Sequence, residues 1–314
     1  MIKLAIVGVG KIVRDQHLPS IHNTQLFEVT ATASRNAQLD DVPGYADIES
    51  MLAGQETIDA VALCMPPQYR FEAACAAIDH GCHVLLEKPP GATLNEVNHL
   101  IKRAAAKGVS LYATWHSRHA PAVAHCKQLL SKSNITSAEL TWIEDVRKWH
   151  PGQAWIWQAG GLGVFDPGIN GLSILSEVLS DDLLITESKL ETPSNKQTPI
   201  AAHLNILATS GFNVDTKMDW RVPAGAENTE CWQMSFETDQ GKVALVEGGS
   251  VCLINDQIVF QDKDASRYVE YEAIYREFAD LIKTNKSSVD LVPLQLVADS
   301  FMLGNVTLTE PFEV

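Results

Sequence analysis

The sequence predicts an α/β fold: an N-terminal doubly wound parallel sheet over residues 1–120, then an α+β domain over residues 121–314 with a large, mostly antiparallel open sheet. Three observations predict it. Short apolar, strand-like runs alternate with helix-like runs through the first 120 residues or so. The first strand runs straight into Gly8-Val9-Gly10. Beyond residue 120 the strand-like runs follow one another with hairpin signals and few helices between them.

In the first domain the strand-like runs are residues 3–7, 27–34, 58–64, 83–86 and 109–113. Residues 68–80 read as a helix closed by Gly81, a residue that reaches the left-handed conformation of a C-terminal cap without steric cost. Thr93-Leu94-Asn95-Glu96 is a capping-box pattern, and its helix is expected to end at Gly108. In doubly wound sheets ligands bind beyond the C-terminal ends of the strands. Gly8–Gly10, Ser34-Arg35, Cys64-Met65-Pro66-Pro67, Glu87-Lys88 and Trp115-His116 all fall there. The second domain opens with a helix over residues 122–132 and a strand over 137–144. After a loop and one helix come strands near 184–190, 201–208, 214–220, 230–237, 243–248 and 257–261. Asp239-Gln240-Gly241 and Asn255-Asp256 read as hairpin turns, so the sheet reads as a meander. Helices near 269–284 and 293–303 finish it.

A chain of 314 residues suits two domains. With 46% hydrophobic and 20% charged residues it has the composition of a folded globular protein. A net charge of -15 argues against nucleic acid, because phosphate binding needs clustered Lys and Arg. No apolar run approaches the roughly 20 residues of a membrane helix. Met1-Ile2-Lys3-Leu4 enters a strand at once, which does not read as a signal peptide. The six cysteines (Cys64, Cys75, Cys82, Cys126, Cys231, Cys252) contain no Cys-x-x-Cys pair. They read as reduced thiols of a cytoplasmic protein, with no metal site expected.

Gly8 allows a tight turn after the first strand, and Gly10 lets the backbone approach a pyrophosphate. The amides opening the next helix, at Lys11 and Ile12, then face the phosphates. This is the dinucleotide pattern of a Rossmann domain, except that Val13 stands where a third glycine belongs. The second strand ends Ala33-Ser34-Arg35-Asn36, without the acidic residue that binds a ribose 2'-hydroxyl. Arg35 can pair with a 2'-phosphate and Ser34 can donate to it, so NADP is the expected preference, with NAD possible if Arg35 instead stacks on the adenine. Cys64, Pro66, Glu87 and Lys88 complete the expected cofactor contacts. Lys88, fixed by Pro89 and Pro90 after the strand at 83–86, points to hydride transfer on the bound dinucleotide.

Glu87-Lys88-Pro89 after the fourth strand, with Gly-x-Gly after the first, resembles the glucose–fructose oxidoreductase/inositol dehydrogenase (Gfo/Idh/MocA) family. Longer segments narrow the resemblance. They are Asp15-Gln16-His17-Leu18-Pro19, Trp115-His116-Ser117-Arg118, residues 144–153 with Trp155-Ile156-Trp157, and residues 160–170 ending Phe165-Asp166-Pro167-Gly168-Ile169-Asn170. Across the whole chain these look like the family's 1-dehydrogenases of L-arabinose and D-galactose. The resemblance implies oxidation of a small neutral aldose at C1 to the lactone, with NAD(P) as acceptor. It also implies a homodimer paired through the C-terminal sheet.

Such a reaction needs a proton acceptor near the C1 oxygen and donors for the developing oxyanion. Lys88 and Asp166 supply both. Asp166 and Asn170, four apart, share one face of a helix. Many relatives carry histidine where this chain has Asn170. Asparagine does not exchange a proton near neutral pH, so the base is Asp166 or Lys88, and Asn170 binds a sugar hydroxyl. Asp166-Pro167 equally matches a helix N-cap followed by proline. His116, Glu144, Trp149, Trp232 and His150 are the expected sugar contacts. The competing roles are a structural hydrogen bond for His116, a salt bridge to Arg147 for Glu144, and packing for the tryptophans. Trp220 is assigned to packing. The other functions open to this sequence are dehydrogenation at another sugar or cyclitol carbon and dinucleotide-dependent regulation without turnover. The presence of both Lys88 and Asp166 disfavours the last.

Overall fold

The computed structural model describes residues 1–55, 57–222 and 230–313. They form two units, Met1–His116 with Ser266–Leu291, and Ser117–Ala265 with Val292–Val314.

The first unit holds six strands: β1 (Ile2–Val7), β2 (Phe27–Ala33), β3 (Gly44–Tyr45), β4 (Ala60–Leu63), β5 (His83–Leu86) and β6 (Leu111–Ala113). They are all parallel and ordered β3-β2-β1-β4-β5-β6, the order of a Rossmann sheet. Both faces are buried, so the strands read as continuous apolar runs. Leu4, Ile6, Phe27, Ala60, Ala62 and Leu85 lie on one face. Ala5, Val7, Ala31, Val61, Leu63 and Val84 lie on the other. Helices α1 (Leu18–Thr24), α2 (Ile48–Gly54), α3 (Arg70–Asp79) and α4 (Leu94–Lys107) alternate with the strands. The capping box at α4 forms as read: Thr93 Oγ1 accepts the Glu96 amide at 3.2 Å, and Glu96 accepts the Thr93 amide at 3.3 Å. Gly108 closes that helix at φ 69°. The two-residue β3 was not anticipated, since an edge strand that short carries no pattern.

The second unit begins with α5 (Val123–Leu130), β7 (Ile135–Ile143), α6 (Val146–Trp149) and α7 (Phe165–Val178). Strands β8 (Leu183–Pro193), β9 (Ala201–Ala208), β10 (Asn213–Asp219), β11 (Cys231–Thr238), β12 (Gly241–Val246), β13 (Val251–Ile254) and β14 (Gln257–Gln261) follow. After α8 (Val269–Thr284) come α9 (Val292–Met302) and β15 (Gly304–Thr309). The nine-stranded sheet runs β14-β13-β12-β11-β7-β10-β9-β8-β15. It is mostly antiparallel, but β7 pairs in parallel with β10, and β8 with β15. The expected meander is therefore only partly right: β7, early in sequence, is inserted at the centre between β11 and β10. Strand β15 escaped the sequence reading because its residues are largely exposed and show no inward alternation. Helix α7 lies tightly on this sheet. A Cβ on Gly168 would sit 2.3 Å from Met218 Sδ, and one on Gly171 2.8 Å from the Trp142 ring.

The larger correction concerns α8, which the sequence reading put in the second domain. It packs on the first unit, where Tyr271, Ile274, Tyr275 and Phe278 join the core face of Leu4, Ile6 and Phe27. Its apolar residues recur at three and four positions, one stripe of a helix, and Phe278 stacks on Phe27 with ring centroids 5.6 Å apart. Sequence periodicity identifies such a stripe but not the surface it covers. No helix among the described residues is long and apolar enough to cross a membrane. Phe278→Ala is expected to lower stability by about 3–5 kcal/mol, read from urea denaturation; a loss under about 1 kcal/mol would show that α8 is not part of this core.

Candidate active site

The β1 turn places Gly8 at φ 89°, where a Cβ would come within 2.6 Å of the Met65 amide nitrogen. Only glycine fits both the conformation and the space. Gly10 faces nothing within 4 Å, leaving room for an approaching ligand. The turn opens onto a cleft of about 540 Å³ at the strand ends, lined by Gly8, Gly10, Ser34, Arg35, Cys64 and Pro66 among others. Lys11 and Ile12 start the following helix, which widens into a π turn over Val13–His17. That turn begins at the valine replacing the third glycine. Lys11 does not line the cleft; its ammonium pairs with Asp15. Glycine turn, helix start and cleft fit a dinucleotide by shape and by donor chemistry.

Glu87 is a second correction. Expected at the cofactor, its carboxylate points into the protein. Oε1 accepts the Tyr271 hydroxyl at 3.0 Å and lies 3.1 Å from His17 Nε2, while Oε2 accepts the Lys88 amide at 3.0 Å. His17 Nδ1 lies 2.7 Å from the Tyr275 hydroxyl. Arg70, also buried, donates to the Glu87 and Pro89 carbonyls and to the Met65 carbonyl. The half-buried Lys88 is thus held through its backbone from two sides, followed by a cis peptide to Pro89. Burial alone would raise the Glu87 carboxyl, but the hydrogen bond and charge of His17, with His116 and Arg70 behind, bring it down to about 2. Burial works against a charged His17, yet Cys64, Tyr275 and Glu87 outweigh it and hold the imidazole well above its ordinary value.

In the second unit Glu144 follows β7 and is buried. Each of its oxygens accepts an indole N–H at 3.1 Å, Oε1 from Trp220 and Oε2 from Trp232. The expected alternative, a salt bridge to Arg147, does not form; Arg147 pairs with Asp145 at 2.9 Å. Trp220, assigned above to packing, is fully buried as that assignment expects, and its indole N–H also anchors the Glu144 carboxylate, a contact that its strand position does not reveal. His150 stands between two carboxylates, Nε2 3.6 Å from Glu144 and Nδ1 3.6 Å from Asp166. Asp166 and Asn170 both lie on α7, as the spacing predicts. The residue capping α7 is Val164, so Asp166 is not the N-cap. Trp149 is 42% exposed, donates to Glu230 at 2.6 Å and meets Trp232 edge to face at 5.8 Å. His116, in the first unit, bonds Glu270 of α8 at 2.6 Å and stacks on Tyr271.

The depressed Glu87 value fixes a sign for pH dependence. Its stabilisation is complete above the ordinary carboxylate value of 4.5 and is lost as pH falls toward about 2. The raised His17 value acts oppositely, its share being complete below 6.5 and lost as pH rises through the folded value. Glu87→Gln should lower stability near neutral pH by about 3–5 kcal/mol and flatten the acid decline below about pH 4.5. Melting curves of both proteins against pH test this, and parallel declines would refute it.

A profile described as "Oxidoreductase family, NAD-binding Rossmann fold" (Gfo/Idh/MocA) matches residues 2–114. The galactose 1-dehydrogenase of Pseudomonas fluorescens is 39% identical over 313 residues, covering 99% of this chain and 98% of that one. The crystal structure of D-galactose-1-dehydrogenase from Rhizobium etli superposes with a TM-score of 0.92 at 50% identity, over 99% and 98% of the two chains. KijD10, a 3-ketoreductase from Actinomadura kijaniata solved with NADP, shares the fold at a TM-score of 0.82 and 17% identity, over 98% and 99% of the chains. With full-length likeness of this order, the chain belongs to the Gfo/Idh/MocA family of oxidoreductases and carries an NAD(P)-binding Rossmann domain.

Proposed function

We propose that this protein oxidises a free aldose, D-galactose or L-arabinose, at C1 to the aldonolactone, with NADP preferred to NAD. The observation that carries the reading is the second-unit cluster of Glu144, Trp220, Trp232, His150 and Asp166. Buried carboxylate and indole groups accept and donate hydrogen bonds and offer flat apolar faces, which is what a neutral sugar ring requires. The full-length likeness to galactose 1-dehydrogenases supports it.

Bound in the first unit's cleft, the nicotinamide would supply the hydride acceptor. Asp166 takes the C1 hydroxyl proton as the hydride leaves, which general-base catalysis makes worth about 10²–10⁴ in rate. Asn170, one helical turn on, holds a sugar hydroxyl, and Glu144 with the tryptophans binds the rest of the ring. Lys88, its backbone fixed by Glu87, donates to the C1 oxygen and stabilises the charge that grows there. The NADP preference rests on Arg35. It is the one cation lining the cleft among the described residues, where Asp47, Glu49 and Glu72 also lie. Following A340 with a panel of aldoses tests the reading, and no signal with any of them would sink it. Lys88→Ala and Asp166→Ala should each lower kcat by about 10²–10⁴ while NADP still binds, and Arg35→Ala should move the preference toward NAD.

We also propose a homodimer through the C-terminal sheet. The support is the exposed apolar edge strand β15, where Val306 and Leu308 are 55% and 69% exposed. Light scattering should give twice the 34.4 kDa chain mass, and Val306→Glu with Leu308→Glu should give a single chain. A monomeric wild type would overturn this.

A further inference from the structure

His150 is the group in the second unit whose chemistry the proposed reaction leaves unused. It follows α6 directly, and its amide donates to the Val146 carbonyl at 2.9 Å, which fixes the backbone below the ring. The ring lies against Trp220 with centroids 5.1 Å apart. Its side chain is only 15% exposed. The charged groups facing it are Glu144 from the end of β7 and Asp166 from α7, one on each ring nitrogen. Nδ1 is buried and has no hydrogen-bond partner. At 3.6 Å both contacts are longer than hydrogen bonds, and such contacts in unliganded sites tighten when substrate binds.

Which nitrogen of a histidine carries the proton is set by what the other nitrogen faces. Glu144 has both oxygens anchored by indole N–H groups, so its position against Nε2 is fixed. A proton on Nε2 directed at Glu144 leaves the Nδ1 lone pair facing Asp166. We propose that His150 is the proton relay behind Asp166. The inference rests on the aldose 1-dehydrogenase reading. The C1–H bond breaks with its electron pair going to the nicotinamide dinucleotide, which is reduced, and the C1 hydroxyl O–H bond breaks to leave a C1 carbonyl. The proton forms an O–H bond on Asp166, then transfers to His150 Nδ1, restoring the Asp166 carboxylate. The imidazolium so formed returns the proton to water after the lactone leaves. His150 is thus a positioning residue that works through Asp166 and does not itself touch the reacting carbon.

The test compares His150→Asn and His150→Gln with wild type on the best aldose, with NADP binding and melting temperature as checks on folding. Both amides can hydrogen-bond in the same space, but neither exchanges a proton. A relay predicts that kcat falls about 10²-fold in both while KM for the sugar stays within about twofold. A near-normal kcat in either amide variant overturns the relay, since hydrogen bonding alone then suffices. A loss confined to KM overturns it in favour of sugar binding. Wild type inert toward every aldose overturns the functional reading as well, whereas an active wild type with active variants overturns the relay alone.

Discussion

A carboxylate taken out of water needs several donors, and Glu87 has found them on three separate segments. The π turn ahead of α1 brings His17, α8 brings Tyr271, and the chain's next residue brings the Lys88 amide. Because a buried ion costs several kcal/mol unless its lone pairs are satisfied, each of these segments is held to the others. The lysine that follows inherits that rigidity. Arg70 adds a second set of anchors on the carbonyl side of the same peptide run. The glycine turn of β1, the end of β5 and a helix from the far end of the chain are thereby set around one point.

The second unit repeats the device with neutral donors. Two indoles hold Glu144, and small residues at positions 168 and 171 let α7 press onto the sheet that carries it. Neither carboxylate is placed by its own strand or helix alone. Each depends on donors that arrive from elsewhere, so the second-unit cluster has few free rotamers left when a ligand comes.

Much of this was legible in the sequence. Gly8, the capping box at Thr93 and the spacing of Asp166 and Asn170 are local rules, and each formed as read. Lys88 stood out because prolines fix it. Other features were not legible. That Tyr271 and Tyr275 would face His17 is a pairing across about 250 positions, and a helical stripe does not name its partner. Trp220 looked like core because it is core: the ring is buried, and only its N–H reaches the Glu144 carboxylate. Glu87 was misread because its place in the motif marks importance without saying which way its side chain turns. The mixed sheet was read as a meander because hairpin signals are local, whereas the insertion of β7 beside β10 leaves no mark in either strand.

The placement of α8 has a consequence for how the chain is made. A Rossmann unit is ordinarily complete once its last strand has been synthesised. Here the face formed by Leu4, Ile6 and Phe27 is covered only in part, by Val13 and Ile21, until Val269–Thr284 emerges. The ribosome must first produce nearly all of the second unit's sheet, which at about 5–20 residues per second takes on the order of ten seconds. The nucleotide-binding half is therefore first in sequence yet stays unfinished until all of the chain but α9 and β15 has been made.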